Sequence, residues 1–272
     1  MSGQPIEKVV ILARGLGKRM RQQDQSAALS NDQAAVADQG LKAMIPIGRP
    51  FLDYVLSTLA DAGYRQVCLV IGPEHQQVRE YYARLALRRV RVSYAVQEQP
   101  KGTADAVLAA ESFAGSDTVV VINSDNFYPL EALRMLREEC SGSGLVAFGR
   151  DGMLTGNIPA ERIEKFAIVQ VDAANHMVRI VEKPTAQQIA AAGNPLRLSM
   201  NCWRFAPAIF GSCRAVKPSA RGELELPDAV QHAIAGGEVF TVLHCEQPVL
   251  DMSSRGDIAS IKDRLMGMKV EL

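Results

Sequence analysis

Short apolar runs alternate with segments of helical periodicity along the first half of the chain. The apolar runs predict strands over residues 8–13, 66–71, 90–96, 118–123 and 144–148. Apolar residues at helical spacing predict helices over residues 51–59, 74–86, 103–111 and 130–140. This repeated order of strand and helix predicts right-handed crossovers. The fold class is therefore α/β, with a mostly parallel, Rossmann-like twisted sheet that carries helices on both faces.

The second half of the chain is richer in strands and less regular. Strands are predicted over residues 167–171, 178–182, 199–205 and 239–245, and helices over residues 226–235 and 257–266. A polar stretch over residues 22–40 has no clear apolar face, and we expect it to be an excursion that carries a short helix. No segment has the composition of a linker, so we expect a single domain over residues 1–272.

Composition and charge exclude several classes of function. Thirty basic residues balance thirty acidic ones, so no overall field favours nucleic acid or a membrane surface, and an anion site must be built locally. The five cysteines form no metal-binding motif, and buried free thiols in a reducing cytoplasm are expected. We see no export signal and no apolar run as long as a membrane span. A soluble, cytoplasmic protein is expected.

Three features fall at the carboxyl ends of predicted strands, where parallel sheets bind their ligands. They are the glycine turn over residues 15–19, the loop over residues 97–103 and the acidic segment over residues 124–126. In the first, two glycines precede Lys18 and Arg19. A strand that ends in such a turn suits a phosphate held by backbone N–H groups.

Two common phosphate-binding loops match this turn poorly. A P-loop needs four residues between its first glycine and Gly-Lys-Ser/Thr, whereas Gly15 and Gly17 are two apart and Arg19 stands in place of the hydroxyl residue. A dinucleotide fingerprint needs a third glycine where Met20 stands. The P-loop is excluded, and a dinucleotide-binding oxidoreductase is disfavoured.

A third loop matches. The segment LARGLGKRM, at residues 12–20, resembles the L-A-x-G-x-G-x-R-M/L signature of the sugar-1-phosphate nucleotidylyltransferases. Further segments resemble that family in the expected order: LKAMIP at 41–46, QEQPKGTA at 97–104, NSDN at 123–126, IVEKP at 180–184, MNCW at 200–203, RGELELPD at 221–228 and LD at 250–251. The resemblance covers roughly residues 8 to 265.

This resemblance, closest to the glucose-1-phosphate thymidylyltransferases and N-acetylhexosamine-1-phosphate uridylyltransferases, implies a nucleotide-diphospho-sugar transferase fold with strand-rich sugar-binding insertions. The expected reaction joins a sugar 1-phosphate to a nucleoside triphosphate and releases pyrophosphate. UTP or dTTP is the first choice of nucleotide, and GTP stays open. Residues 1–150 would form the mainly nucleotide-binding half and residues 151–272 the mainly sugar-phosphate-binding half. No nucleic acid or membrane partner is expected, and a homo-oligomer is left open.

The resemblance also implies roles for individual residues. Lys42 would lie near the α-phosphate and Arg19 near the β- and γ-phosphates. Asp125 would be catalytic and, with Asp251, would hold Mg²⁺, a hard cation that prefers oxygen ligands. The nucleotide-binding residues would be Leu12, Ala13, Gly15, Gly17, Gln97, Gly102 and Thr103. The sugar-phosphate-binding residues would be Ala167, Glu182, Lys183 and Asn201.

Four positions depart from the family pattern. Arg14 replaces the usual alanine or glycine, Leu41 a proline, Ser124 a glycine, and Ala167 a glycine. None of these changes removes a charged group that the chemistry uses. We therefore expect an active enzyme with altered specificity. The alternative is a catalytically degenerate homologue that binds a nucleotide or nucleotide sugar as a sensor or regulatory subunit.

Overall fold

A nine-stranded mixed sheet organises residues 6–272, the part of the chain that the computed structural model describes. The strands, including two short ones outside this sheet, are β1 (Lys8–Leu12), β2 (Gln66–Ile71), β3 (Arg91–Val96), β4 (Val119–Asn123), β5 (Asn126–Phe127), β6 (Ser143–Gly149), β7 (Ile168–Val171), β8 (Met177–Val181), β9 (Arg197–Phe205), β10 (Phe240–Cys245) and β11 (Leu250–Asp251). The main path runs β10-β6-β9-β4-β1-β2-β3, with β7 beside β9 and β8 beside β7.

The strands of the first half pair in parallel, as the alternation of strands and helices predicts. β1 lies between β4 and β2, and β3 pairs with the far side of β2, all in parallel. β6 and β10 also pair in parallel, but β9 enters between β4 and β6 and is antiparallel to both. The mostly parallel sheet is confirmed. The position of β9 was not predicted.

Helices cover both faces of the sheet. They are α1 (Lys18–Arg21), α2 (Asn31–Gln39), α3 (Phe51–Asp61), α4 (Gln76–Ala83), α5 (Thr103–Ala109), α6 (Glu111–Ala114), α7 (Leu130–Glu138), α8 (Arg150–Leu154), α9 (Ala160–Ile163), α10 (Ala186–Ala191), α11 (Ile209–Ala215), α12 (Leu226–Ala235) and α13 (Asp257–Leu265). One apolar core includes residues of α3, α7 and α13, and another includes residues of α5, α11 and α12.

The two cores explain the near-continuous apolar character of the central strands. In β1, Val9 and Ile11 face the first core and Val10 faces the second. Successive side chains of a strand point to opposite faces, so a strand that is covered on both sides carries apolar residues at every position.

The polar excursion folds back beside the glycine turn. It contains α2, which begins with a capping box, because the Ser30 side chain accepts from the Gln33 backbone and the Gln33 side chain accepts from the Ser30 backbone. α2 ends at Gly40 in the left-handed conformation. The predicted short helix is therefore present, and it delivers the chain directly to Leu41 and Lys42.

The cysteines are buried, as the composition predicts. All five cysteines are buried and free. Within residues 6–272, every helix is too short or too polar to traverse a lipid bilayer.

Candidate functional site

A cleft of about 270 Å³ opens at the carboxyl ends of β1, β3 and β4. Its wall contains eight of the residues singled out from the sequence: Leu12, Ala13, Gly15, Lys42, Gln97, Gly102, Thr103 and Asp125. These residues come from four separate segments of the chain. Three of these segments follow β1, β3 and β4, parallel strands that end at one edge of the sheet, where such sheets hold their ligands. The fourth, at Lys42, follows α2.

The glycine turn forms one wall of the cleft. Gly17 has a φ of +58°, and a Cβ at this position would lie 2.4 Å from the carbonyl oxygen of Gly40. This glycine is therefore required by the close approach of α2. A Cβ on Gly15, by contrast, would meet no described atom within 4 Å. The open side of Gly15 leaves room for a ligand against the backbone.

Lys42 and Asp125 form an ion pair in the cleft. Lys42 begins a single 3-10 turn (Lys42–Met44), and its Nζ lies 2.7 Å from Oδ2 of Asp125. Asp125 directly follows Ser124, whose backbone N–H donates to the carbonyl oxygen of Leu12 and so continues the ladder between β4 and β1. The carboxylate is thus held at the paired ends of β4 and β1, and the cation reaches it from the turn that follows α2.

Asp251 lies beside Asp125 through a second, two-stranded sheet. β11 pairs with β5 so that Asp251 is opposite Asn126, and the N–H of Met252 donates to the Asp125 carbonyl oxygen at 2.8 Å. Burial, and then the charge of Asp125, raise the pKa of Asp251 to about 6. The two carboxylates, 126 residues apart in the sequence, therefore share one region of the site.

Three side chains orient the Asp251 carboxylate. The Asn126 side-chain amide donates to Oδ1 at 3.0 Å, and the Ser253 hydroxyl donates to Oδ2 at 2.7 Å. Arg162 Nη2 lies 3.3 Å from Oδ2. Among residues 6–272, no group of three or more His, Cys, Asp or Glu side chains could by itself hold a metal ion. A cation here would need oxygen atoms from a ligand or water besides Asp125 and Asp251.

Two hydrogen bonds fix the side-chain amide of Gln97. Its Nε2 donates to the Gly102 carbonyl oxygen at 3.0 Å and to Asp105 Oδ2 at 2.8 Å. Both of these partners can only accept, which determines the orientation of the amide. These contacts leave the Oε1 of Gln97 as an acceptor.

The loop before α5 packs against residues 221–225, the segment that precedes α12. Gly102 has a φ of +124°, and a Cβ there would lie 2.4 Å from the Leu224 carbonyl oxygen. The Thr103 hydroxyl accepts from the backbone N–H of Leu226 at 2.8 Å. The Thr103 hydroxyl thus contributes to the first turn of α12 and links the two halves of the chain.

The four residues expected to bind the sugar phosphate lie near the antiparallel strands. Ala167 precedes β7 and Glu182 follows β8, and the pairing of Ile168 with Val181 brings their positions together. Asn201 lies within β9. In the described part of the chain, these three residues and Lys183 lie outside the wall of the cleft itself.

Two of these residues have unusual backbone conformations. Lys183 has a φ of +46° and Asn201 a φ of +56°. Left-handed conformations are costly for residues other than glycine and concentrate at functional sites. Trp203 Nε1 donates to Asn201 Oδ1 at 3.1 Å, which holds the side chain in place.

Arg19 and the four departures from the family pattern also have definite positions. Arg19 is exposed on α1. Leu41 is buried beside the cleft with a φ of −80°, close to the value that proline imposes. Neither Ser124 nor Ala167 has a positive φ, so the absence of glycine causes no backbone strain there. Arg14 is buried in the wall of the cleft.

Several residues around the site are not predicted by any sequence pattern. Tyr128 donates from its hydroxyl to the Met200 carbonyl oxygen at 2.6 Å and accepts from the Asn123 backbone N–H, so it joins the end of β4 to β9. Arg162 and Ser253 contact Asp251. The sequence pointed only to Asn126, because it adjoins Asp125. The others are brought to the site by contacts between distant parts of the chain.

Comparison with known proteins agrees with the fold and the motifs. The sequence profile of the family described as Nucleotidyl transferase matches residues 8–246. A UTP–glucose-1-phosphate uridylyltransferase of Haloferax volcanii is 25% identical over 260 residues, 95% of this chain and 96% of that protein. A glucose-1-phosphate thymidylyltransferase of Streptomyces antibioticus is 30% identical over 239 residues, 85% of this chain, and the chain spans 58% of that protein.

A solved structure gives the same fold. The structure of UDP-glucose pyrophosphorylase complexed with UDP-glucose aligns with a TM-score of 0.73 at 18% identity and covers 97% of this chain and 100% of that one. The nucleotide-diphospho-sugar transferase fold and the family resemblance are both confirmed. The chain belongs to the nucleotidyl transferase family.

Proposed function

We propose that the chain joins a sugar 1-phosphate to a nucleoside triphosphate, with UTP or dTTP as the favoured nucleotide, and releases pyrophosphate. The observation that carries this proposal is the Lys42–Asp125 ion pair in the cleft, where the two groups lie 2.7 Å apart beside the open face of Gly15. The names of the two curated relatives, a uridylyltransferase and a thymidylyltransferase, support the choice of nucleotide.

The chemistry requires charge neutralisation more than proton transfer. A phosphate oxygen of the sugar 1-phosphate attacks the α-phosphorus, the new P–O bond forms, and the bond to the β-phosphate bridging oxygen breaks. The attacking oxygen is already ionised near neutral pH, so no general base is needed. The main obstacle is repulsion between two anions, which positioned cations reduce.

The residues of the cleft suit this task. We assign Lys42 to the α-phosphate and Arg19, on the exposed helix α1, to the β- and γ-phosphates. The backbone of the turn at Gly15 and Gly17 would surround the triphosphate. Leu12, Ala13, Gln97, Gly102 and Thr103 would bind the nucleoside. In the resting site, Asp125 neutralises the Lys42 ammonium group, and we expect the triphosphate to replace that contact.

The paired carboxylates fit a bound Mg²⁺. Asp125 and Asp251 are adjacent across the β5–β11 ladder, and two carboxylates completed by water and phosphate oxygens form a donor set typical of this ion. When bound, Mg²⁺ would neutralise phosphate charge and align the reacting groups. Asn126, Ser253 and Arg162 would keep the Asp251 carboxylate oriented.

The sugar phosphate would bind on the side of β7, β8 and β9. We assign Lys183 to its phosphate, and Ala167, Glu182 and Asn201 to the sugar. This gives one domain over residues 1–272 with a mainly nucleotide-binding half, 1–150, and a mainly sugar-phosphate-binding half, 151–272. Five buried, free thiols support a reducing compartment such as the cytoplasm.

A matrix assay tests the proposal. Purified protein is incubated with each nucleoside triphosphate and a series of hexose 1-phosphates, with Mg²⁺ or with a chelator, and pyrophosphate release is measured. We expect release that requires both substrates and Mg²⁺, and that is fastest with UTP or dTTP. Binding of nucleotide without any pyrophosphate release would contradict the transferase and favour the sensor.

A further inference from the structure

Arg14 is a buried cation with an unused donor. Its side chain is only 7% exposed and lies in the wall of the cleft. Within the part of the chain that the structure describes, Nη1 of Arg14 is buried and has no hydrogen-bond partner. Guanidinium groups carry five N–H donors and no acceptor, and a buried donor without a partner is costly. Such a group suits a ligand that supplies an acceptor.

The protein itself satisfies this side chain poorly. Nε and Nη2 of Arg14 each lie 3.4 Å from an oxygen of Glu74, near the outer limit for a hydrogen bond. The Glu74 side chain is half exposed, so its charge is well solvated. This pairing orients the guanidinium group but leaves Nη1 directed elsewhere.

The position of Glu74 shows which part of the cleft Arg14 serves. Glu74 follows β2, which lies between β1 and β3, and β3 leads to Gln97. Asp125, the partner of Lys42, follows β4, which pairs with the opposite side of β1. Arg14 therefore leans toward the Gln97 side and away from the groups assigned to the phosphates.

The Gln97 side of the cleft has the character of a site for a flat, partly polar ring. Leu12, Val78 and Ala106 of the cleft wall supply apolar surface. Gln97 offers its Oε1 as an acceptor, because its nitrogen is bound to Gly102 and Asp105. Arg14 adds a donor.

We propose that Arg14 acts beside Gln97, which the proposed function already assigns to the nucleoside, as a second residue that reads the nucleobase: Arg14 Nη1 would donate to a ring carbonyl oxygen while Gln97 Oε1 accepts from the neighbouring ring N–H. This inference rests on the proposed function. The edge that fits is a lactam, which uracil, thymine and guanine carry. In the same orientation, cytosine and adenine would turn an amino group toward the arginine donor and an unprotonated ring nitrogen toward the glutamine oxygen.

The test compares base preference in matched variants. Arg14→Ala introduces a residue that is usual at this position in the family, so folding is expected, and thermal melting checks it. Arg84→Ala removes an exposed arginine just after α4, outside the cleft, and serves as the control. Values of kcat/KM are measured for UTP against CTP and for GTP against ATP.

We expect the wild-type enzyme to prefer UTP over CTP and GTP over ATP, and we expect Arg84→Ala to show the same ratios. Arg14→Ala should reduce the UTP-to-CTP ratio by about tenfold or more, mainly through a higher KM for UTP, since a paired donor contributes discrimination of this size. Arg14→Lys, which keeps the charge but not the planar fork, should recover only part of that ratio.

Two results would overturn the assignment of Arg14. One is an unchanged UTP-to-CTP ratio in Arg14→Ala. The other concerns inhibition of the enzyme by inorganic tripolyphosphate, which has no base. If Arg14→Ala weakens this inhibition as much as it weakens the use of UTP, Arg14 contacts the phosphates instead. If the wild-type protein releases no pyrophosphate with any substrate pair, the proposed function fails separately. Calorimetric binding of UTP and CTP to the wild-type protein and to Arg14→Ala then decides the role of Arg14.

Discussion

Gly15 and Gly17 lie two residues apart in the same turn but have opposite surroundings. Gly17 is enclosed by the backbone of Gly40 and has a left-handed conformation, whereas a Cβ at Gly15 would meet open space. Gly17 is therefore needed for folding of the turn. Gly15 is free of any such need within the described residues, which leaves close approach of a ligand as the reason for its small size.

Replacing these glycines by alanine should separate the two effects. Gly17→Ala should lower the free energy of unfolding by about 1–3 kcal/mol, because the methyl group strains the backbone and displaces α2. Gly15→Ala should unfold like the wild-type protein in urea but bind nucleoside triphosphate more weakly in calorimetry. Equal stability loss in both variants, or unimpaired binding by Gly15→Ala, would contradict this account.

The residues of the site differ in how far the sequence predicts them. Lys42 and Asp125 could be singled out because each stands in a recognisable motif directly after a strand or turn. The burial of Arg14 could not, because its partner Glu74 is 60 residues away and is brought near only by the pairing of β1 with β2. Local sequence reports local geometry, and the surroundings of one side chain depend on the whole sheet.

At the scale of elements, a buried carboxylate joins two helices that each contribute to the wall of the cleft, α3 through Leu52 and α4 through Val78. Asp53 of α3 is fully buried and accepts from the hydroxyls of Tyr81 and Tyr82 of α4 at 2.7 and 2.9 Å. Arg49 Nε donates to the same carboxylate at 2.9 Å. α3 follows the turn of Lys42 and α4 follows the segment of Glu74, so this network fixes both segments relative to each other.

Asp53→Ala should destabilise the protein by about 2–4 kcal/mol, since it leaves the buried Tyr82 hydroxyl without its partner and removes the partner of Arg49. Asp61→Ala, in the same helix, breaks the partly exposed pair with Arg89 and should cost less than about 1 kcal/mol. Urea denaturation of both variants measures the difference. Similar midpoints for the two variants would rule out the network as a stabilising connection.

The elements themselves were largely predictable, and their order in the sheet was not. β1, β2 and β4 are apolar on both faces, which marks them as buried strands in a parallel sheet. β9 is more polar, with Arg197, Ser199, Asn201 and Arg204 among its nine residues, and its insertion between β4 and β6 depends on pairings such as Val119 with Phe205. The two-residue strands β5 and β11 are too short to produce any periodicity, although they bring the two aspartates together.

At the scale of the whole molecule, the two cores on either side of the sheet shield most ionisable phenols and thiols. Burial raises the pKa of Cys68 from 9.0 to about 11 and that of Cys213 to about 12. Burial also raises the pKa values of Tyr64 and Tyr128. In each case folding favours the neutral form.

This burial makes stability sensitive to alkali. The contribution of Cys68 is fully present below about pH 9, where the unfolded thiol is protonated, and is lost as pH rises through about 11. The free energy of unfolding in urea should therefore be lower at pH 10.5 than at pH 8, by about 2 kcal/mol from Cys68 alone. At pH 8, a thiol reagent should label the native protein slowly and the unfolded protein rapidly. A constant unfolding free energy across this range would contradict the burial of these groups.

The central claim is that the cation of Lys42 lets two anions react in this cleft. The most direct measurement is the rate of pyrophosphate release at saturating substrates, with Mg²⁺, for the wild-type protein, Lys42→Ala and the control Lys262→Ala on the exposed face of α13. We predict that Lys42→Ala loses kcat by a factor on the order of 10² to 10³, while Lys262→Ala keeps the wild-type value. A folded Lys42→Ala variant with wild-type kcat would contradict the account.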